Sequence, residues 1–136
     1  MTIAPPAPTA HRPRLLVVDD EPNIAELMRI WFEPMGWDVA TASSGPEGVA
    51  RAVDWSPDVV VLDVMLPGYD GLEALRRIRM VLPRVAVVLS TARDSDEDRL
   101  TGLAAGADAY LVKPYSLHEL ERHLRVLRPS RASSAP

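Results

Sequence analysis

Three stretches of this chain are unbroken runs of Val, Leu and Ala at the length of a short strand: Arg14-Leu-Leu-Val-Val-Asp19, Asp58-Val-Val-Val-Leu-Asp63 and Val85-Ala-Val-Val-Leu-Ser90. A strand with one face in water alternates apolar and polar residues. A run that does not alternate needs cover on both faces, as parallel strands have between two layers of helix. Trp37-Asp-Val-Ala-Thr41 is more polar, which suits a sheet edge, and Ala109-Tyr-Leu-Val-Lys113 is a fifth candidate strand.

Helical spacing fills the gaps. Pro22 can open a first helix, because a proline in the first turn has no N–H to waste. Ile24, Leu27, Met28 and Trp31 then mark one face. Pro46 opens a second helix with Val49, Ala50 and Val53 as its apolar face. Leu72, Leu75 and Ile78, with Val81 or Leu82, carry a third that Pro83 ends. Leu100, Leu103 and Ala104 mark a fourth, which Gly106 stops. Ser116 and Glu119 form a capping box for a fifth, with Leu117, Leu120, Leu124 and Leu127 inside. The alternation predicts an α/β fold, (βα)5, with right-handed crossovers winding helices onto both faces of a five-stranded parallel sheet.

At 136 residues, 47% of them hydrophobic, the chain holds one compact domain and no second module of ordinary size. Residues 1–13 carry four of the 13 prolines and residues 129–136 are Pro, Ser, Ala and Arg, so both are expected as tails around a domain at 14–128. The net charge of −4 shows no basic stripe for gripping phosphates. The absence of cysteine excludes a disulfide scaffold and a thiolate metal site. With no apolar run long enough to span a bilayer and no signal-peptide pattern, a cytoplasmic location away from membranes is expected.

In doubly wound folds the chemistry sits at the carboxyl ends of the strands. There the chain puts Asp19-Asp20-Glu21, Asp63, Ser90-Thr91 and Lys113-Pro114. Carboxylates gathered on one rim repel by about 3 kcal/mol per pair at 5 Å and an effective dielectric near 20. A hard divalent cation, Mg2+ or Mn2+, relieves that, and Lys113 neutralises what remains. An ionised Asp63 can attack a phosphoryl group without a general base, and Thr91 can donate its hydroxyl to that group once it is in place.

In order and at these spacings, Leu-Leu-Val-Val-Asp19-Asp20-Glu21, Leu62-Asp63-Val-Met-Leu-Pro67-Gly-Tyr-Asp70-Gly71, Ser90-Thr91-Ala92-Arg93 and Gly106-Ala-Asp-Ala-Tyr110-Leu-Val-Lys113-Pro114 resemble the receiver domain of two-component response regulators. The resemblance implies a flavodoxin-like, CheY-like sheet of strand order 2-1-3-4-5. It implies Asp63 as phosphoacceptor for a sensor histidine kinase, and Asp19, Asp20, Asp63 and the backbone carbonyl of Met65 as metal ligands. It also implies a switch pair of Thr91 and Tyr110 that remodels the surface of the fourth helix, fifth strand and fifth helix, and a cis bond at Pro114. Such a chain assists its own phosphotransfer and slow autodephosphorylation and is not otherwise an enzyme. Kinase recognition is implied around Ile24 to Arg29 and Pro114 to Leu117.

Met-Leu-Pro after Asp63, Thr-Ala-Arg after the fourth strand, and Lys-Pro-Tyr-Ser-x-x-Glu-Leu resemble the OmpR/PhoB group of bacterial transcription regulators. Those carry a C-terminal DNA-binding domain, so DNA is expected as a partner only through an output module beyond this chain; the alternative is a stand-alone receiver. The group dimerises through its fourth helix, fifth strand and fifth helix, which nominates Arg99, Asp108, Glu119, Arg122 and Arg125. The chain departs from the group at Ala109 and His123, where an Asp and an Arg usually pair across the interface, so a homodimer formed on phosphorylation is expected to be weak or altered. Neither Met65 nor Arg93 can orient an attacking water, which implies slow self-dephosphorylation.

Taken singly, these residues have plainer readings. An Asp pair is commonly a solvated loop end, Asp63 alone a helix cap, Lys113 alone a surface lysine, and Tyr110 a half-buried strand residue. Trp31, Trp37 and Trp55 read as packing, and Arg76, Arg77 and Arg79 as a solvated helix face. Three rival functions fit the residues less well. A flavin-binding module needs a phosphate loop where this chain has Asp19-Asp20-Glu21. An aspartyl-phosphate hydrolase needs an acid where it has Met65. A degenerate receiver would lack one of the five site residues, and all five are present.

Overall fold

The computed structural model describes residues 12–128. Five parallel strands, β1 (Arg14–Val18), β2 (Asp38–Ala42), β3 (Val59–Asp63), β4 (Ala86–Thr91) and β5 (Ala109–Val112), form one sheet in the order β2-β1-β3-β4-β5. The helices α1 (Pro22–Phe32), α2 (Gly45–Trp55), α3 (Gly71–Val81), α4 (Asp96–Ala104) and α5 (Leu117–Leu127) alternate with them, and a 3-10 turn, Glu33–Met35, follows α1. The expected architecture is therefore the observed one. In-register pairing of Leu16 with Val60 and of Val60 with Val87 carries the continuous Val/Leu runs through the middle of the sheet.

The strand period of two splits the core into two layers. Leu16, Val18, Val60, Leu62, Val87 and Leu89 face Ala52, Ala74, Leu75 and Ile78. Leu15, Val17, Val59, Val61, Val88 and Leu111 face Met28, Phe32, Leu120 and Leu124. Side chains of Ser44, Asp70, Ser95 and Ser116 cap α2, α3, α4 and α5, each accepting from the N–H three residues on.

Several helix faces differ from the sequence expectation. In α1 the buried residues are Met28 and Phe32, while Leu27 is turned outward. In α2 the buried positions are Gly45, Gly48 and Ala52, and Ala50 and Val53 are exposed. The reason is proximity: a Cβ on Gly48 would lie 2.8 Å from Val18 Cγ1, so only a small residue lets α2 approach β1. In α4 only Gly102 is buried, and Leu100 is 67% exposed.

Arg79 does not belong to a solvated face. It donates to the carbonyls of Gly106, Pro83 and Val85 and to Asp108. Arg12 and Pro13, expected in the N-terminal tail, pack against the domain. The Arg12 guanidinium donates to Asp38 and to the carbonyls of Glu33 and Trp37, and Pro13 is buried. Of the expected tails at 1–13 and 129–136, residues 1–11 and 129–136 lie outside the described residues. Among those described, no helix is long and apolar enough to cross a membrane.

Candidate phosphoacceptor and metal site

β1 and β3 lie side by side, and each delivers an aspartate to the carboxyl edge of the sheet. Asp19 and Asp63 are both nearly buried, and Asp20 beside them is exposed. The two buried carboxylates are held alike. Asp19 Oδ1 accepts from the Glu21 N–H at 2.9 Å, and Asp63 Oδ1 accepts from the Met65 N–H at 3.0 Å. These local side-chain-to-backbone turns fix each carboxylate at its strand end. The other oxygen of each accepts from one ammonium: Lys113 Nζ lies 3.1 Å from Asp19 Oδ2 and 3.1 Å from Asp63 Oδ2.

Lys113 reaches the acids because its own N–H donates to the Thr91 carbonyl at 2.8 Å, continuing the β4–β5 ladder past the strand end. The peptide that follows, Lys113–Pro114, is cis, as expected. Burial pushes the Asp63 carboxyl above the ordinary aspartate range, against the pull of the Met65 N–H and of Lys113. Burial alone would lower the Lys113 ammonium. The hydrogen bonds and charges of Asp63 and Asp19 together outweigh it and hold the pKa above the usual lysine value. The site is therefore an ion triad whose second carboxylate is incompletely compensated.

One oxygen from each of Asp19, Asp20 and Asp63 lies within 4.8 Å of the others. Three hard carboxylate oxygens, two anchored in nearly buried side chains and one open to water, suit a cation that keeps part of its hydration. The donor set therefore fits Mg2+.

Thr91 is wholly buried, and its Oγ1 accepts from the Arg93 N–H at 3.2 Å. Accepting leaves its O–H free to donate elsewhere. Tyr110 is more buried than the half-exposed residue its plainer reading supposed. Its ring packs inside the sheet layer, and its hydroxyl donates to the Arg93 carbonyl at 2.8 Å. The Arg93 backbone thus ties Thr91 to Tyr110, a link that residue types in a sequence do not announce. A second unanticipated pair lies alongside: Ser90, in register with Asp63, shares a 3.3 Å hydrogen bond with the Tyr115 hydroxyl.

The residues nominated for a dimer face are engaged to different degrees. Arg99 lies over the Tyr110 ring at 5.2 Å, Asp108 binds Arg79 at 2.9 Å, and Arg125 binds Glu121 at 2.5 Å. Arg122 is exposed and Glu119 half-buried. Beside Lys113, an apolar cavity of about 490 Å3 is walled by Ile24, Leu27, Met28, Pro114, Tyr115 and Leu117.

The profile of the response regulator receiver domain matches residues 15–125. The transcriptional regulatory protein TrcR of Mycobacterium tuberculosis is 49% identical over 114 residues, covering 84% of this chain and 44% of TrcR. The alkaline phosphatase synthesis transcriptional regulatory protein PhoP of Bacillus subtilis is 38% identical over 123 residues, covering 90% of this chain and 51% of PhoP. The chain thus spans about half the length of the curated relatives it matches. Among solved structures, the BeF3-activated DrrB receiver domain superposes with a TM-score of 0.78 at 34% identity, covering 85% of this chain and 97% of that one. A CheY-like receiver domain protein from Methanospirillum hungatei gives 0.84 at 27% identity, covering 91% and 99%.

Proposed function

This chain belongs to the response regulator receiver family, and on that premise we propose that Asp63 accepts a phosphoryl group from a phosphohistidine of a sensor histidine kinase. The observation that carries the reading is the triad itself: a nearly buried, partly compensated carboxylate held by Met65 N–H and Lys113 beside two further acids. Asp19, Asp20, Asp63 and the Met65 carbonyl hold Mg2+ (or Mn2+). Bound there, the ion supplies positive charge against the oxygens of the transferring group.

The rest is done by the chain. An Asp63 oxygen attacks phosphorus, an O–P bond forms as the N–P bond breaks, and the imidazole leaves with the electron pair and takes a proton from solvent. Lys113 offsets the negative charge, and the free O–H of Thr91 donates to the phosphoryl group. Tyr110 then secures the rearranged β4–α4 loop from the inward side. The cavity between α1 and the β5–α5 loop receives the kinase, because it opens beside Lys113 with apolar walls.

Incubated with Mg2+ and a small phosphodonor such as acetyl phosphate, the protein is expected to gain acid-labile phosphate, and Asp63→Asn is expected to gain none. Equal labelling of the two would overturn the assignment. After donor removal the label is expected to decay slowly, because neither the exposed Met65 side chain nor Arg93 can orient water at the phosphorus. Rapid loss without a phosphatase would count against that.

We further read the chain as the receiver part of a transcription regulator that signals to a DNA-binding module through α4, β5 and α5. That face pairs two copies after phosphorylation, but weakly. Asp108 is tied to Arg79, and Ala109 and His123 supply no ion pair. Light scattering with Mg2+ and beryllofluoride should show a weakly associating species; a dimer with a sub-micromolar dissociation constant would refute the weakening. A stand-alone receiver remains the second reading, favoured if no output module follows in the coding region.

A further inference from the structure

α4 meets the sheet almost without side chains. Its buried residue is Gly102, while Leu100 and Leu103 point to solvent. A glycine inside a helix is about 1 kcal/mol worse than alanine, so something at this position must offset that cost. A Cβ on Gly102 would lie 3.1 and 3.2 Å from Cδ2 and Cε2 of Tyr110 and 2.8 Å from Leu89 Cδ1.

The ring has little room to retreat. Leu89 is its register partner on β4 and is fully buried. The Tyr110 hydroxyl donates to the Arg93 carbonyl at 2.8 Å. Arg99, three residues before Gly102 on α4, holds its guanidinium 5.2 Å from the ring centroid and donates to the Tyr110 carbonyl at 3.4 Å. Tyr110 is thus clasped by two residues of one helix turn, one contributing a cation and the other contributing no side chain.

We propose that Gly102 is the positioning residue of the switch: α4 is bare at this point so that the Tyr110 ring can lie inward, and a side chain there crowds the inward ring and weakens the phosphorylated state. This rests on the reading of Asp63 as phosphoacceptor and of Tyr110 as its switch partner. The link between the two ends is thermodynamic. If phosphoryl binding favours the inward ring, the inward ring favours phosphoryl binding by the same factor. A change that raises the free energy of the inward state alone must therefore lower affinity at Asp63.

The test is a cycle of Gly102→Ala, Tyr110→Ala and the double variant, followed by urea unfolding of each protein and by titration with beryllofluoride and Mg2+. In the Tyr110 background, Gly102→Ala is expected to lower the folded-to-unfolded ratio about tenfold, in line with the lower range for overpacked cores. In the Tyr110→Ala background the same change is expected to lower that ratio by no more than about threefold, because the ring contacts are gone, Leu89 Cδ1 at 2.8 Å can turn into the vacated space, and alanine regains its ordinary helix advantage over glycine. Beryllofluoride affinity is expected to fall about fivefold or more in Gly102→Ala, as linkage requires of a comparable bias against the inward ring.

An equal cost in both backgrounds would overturn the proposal, as would an undiminished beryllofluoride affinity in Gly102→Ala. The failure of the underlying reading looks different. Wild-type protein would then bind no beryllofluoride at all, while the difference in cost between the two backgrounds would persist.

Discussion

Gly71→Ala is expected to cost about 3 kcal/mol or more of stability, at the upper end of what overpacking does, and to slow phosphorylation of Asp63 in whatever protein still folds. Gly71 opens α3, and its N–H donates to the Val64 carbonyl at 2.8 Å, folding the helix start back onto the end of β3. A Cβ there would lie 2.1 Å from the Asp63 carbonyl oxygen, 2.9 Å from its carbon and 2.8 Å from Val64 Cα. All three are backbone atoms of a buried strand end, so no rotamer relieves the clash. The peptide that must move is the one that carries Asp63 and sets its bond to the Met65 N–H.

Gly36→Ala is the control. Gly36 has φ +102 but nothing within 4 Å of a built Cβ, so only the left-handed backbone penalty of about 1 kcal/mol applies. Urea unfolding should show a midpoint loss for Gly71→Ala of about 1–2 M, given the usual slope for a domain this size, and clearly less for Gly36→Ala. Equal small losses would mean that the α3 start is not packed against Asp63 as described.

The contrast between these two glycines reflects what a sequence carries. The sheet was legible because unbroken Val and Leu runs have few ways to be buried, and the site because carboxylates and a lysine at strand ends have few ways to be neutral. Helix faces were less legible. Hydrophobicity nominated Val53 and Leu100, but contact goes to Gly48 and Gly102, where absence of a side chain permits close approach. An isolated glycine inside a helical pattern was the available signal. The Arg93 link between Thr91 and Tyr110 left no trace because it is made by backbone atoms, which every residue but proline offers alike. Arg12 and Arg79 were misplaced for a related reason. A guanidinium satisfied by carbonyls has the same one-letter code as one satisfied by water.

Arg79→Ala is expected to cost about 3 kcal/mol, within the range for stripping a partner from partly buried polar groups, although the residue sits in a run of three arginines. Its Nε and Nη2 donate to the Gly106 carbonyl at 3.1 and 2.6 Å, Nη2 also to Asp108 Oδ2 at 2.9 Å, and Nη1 to the carbonyls of Val85 and Pro83. Gly106 stands at φ +113, in the turn that ends α4 and feeds β5. One planar fork therefore binds the end of α3, the start of β4 and the α4–β5 turn, which three separate water contacts would not hold in register. Alanine strands the Gly106 and Val85 carbonyls.

Asp108 keeps only the Val87 N–H, at 2.8 Å. Lysine, with a single ammonium, should recover less than half of the loss. Arg76→Ala, whose guanidinium is exposed and contacts only Glu73 at 3.5 Å, should cost well under 1 kcal/mol. Amide exchange at Ala107 and Asp108, whose N–H groups donate to Gly102 and Val87 carbonyls at 3.2 and 2.8 Å, should quicken in Arg79→Ala more than exchange in α1. A uniform change across the protein, or a loss no larger than that of Arg76→Ala, would overturn the clamp. The turn in question joins α4 to β5, so loosening it at Arg79 alters the α4–β5–α5 surface without touching Asp63.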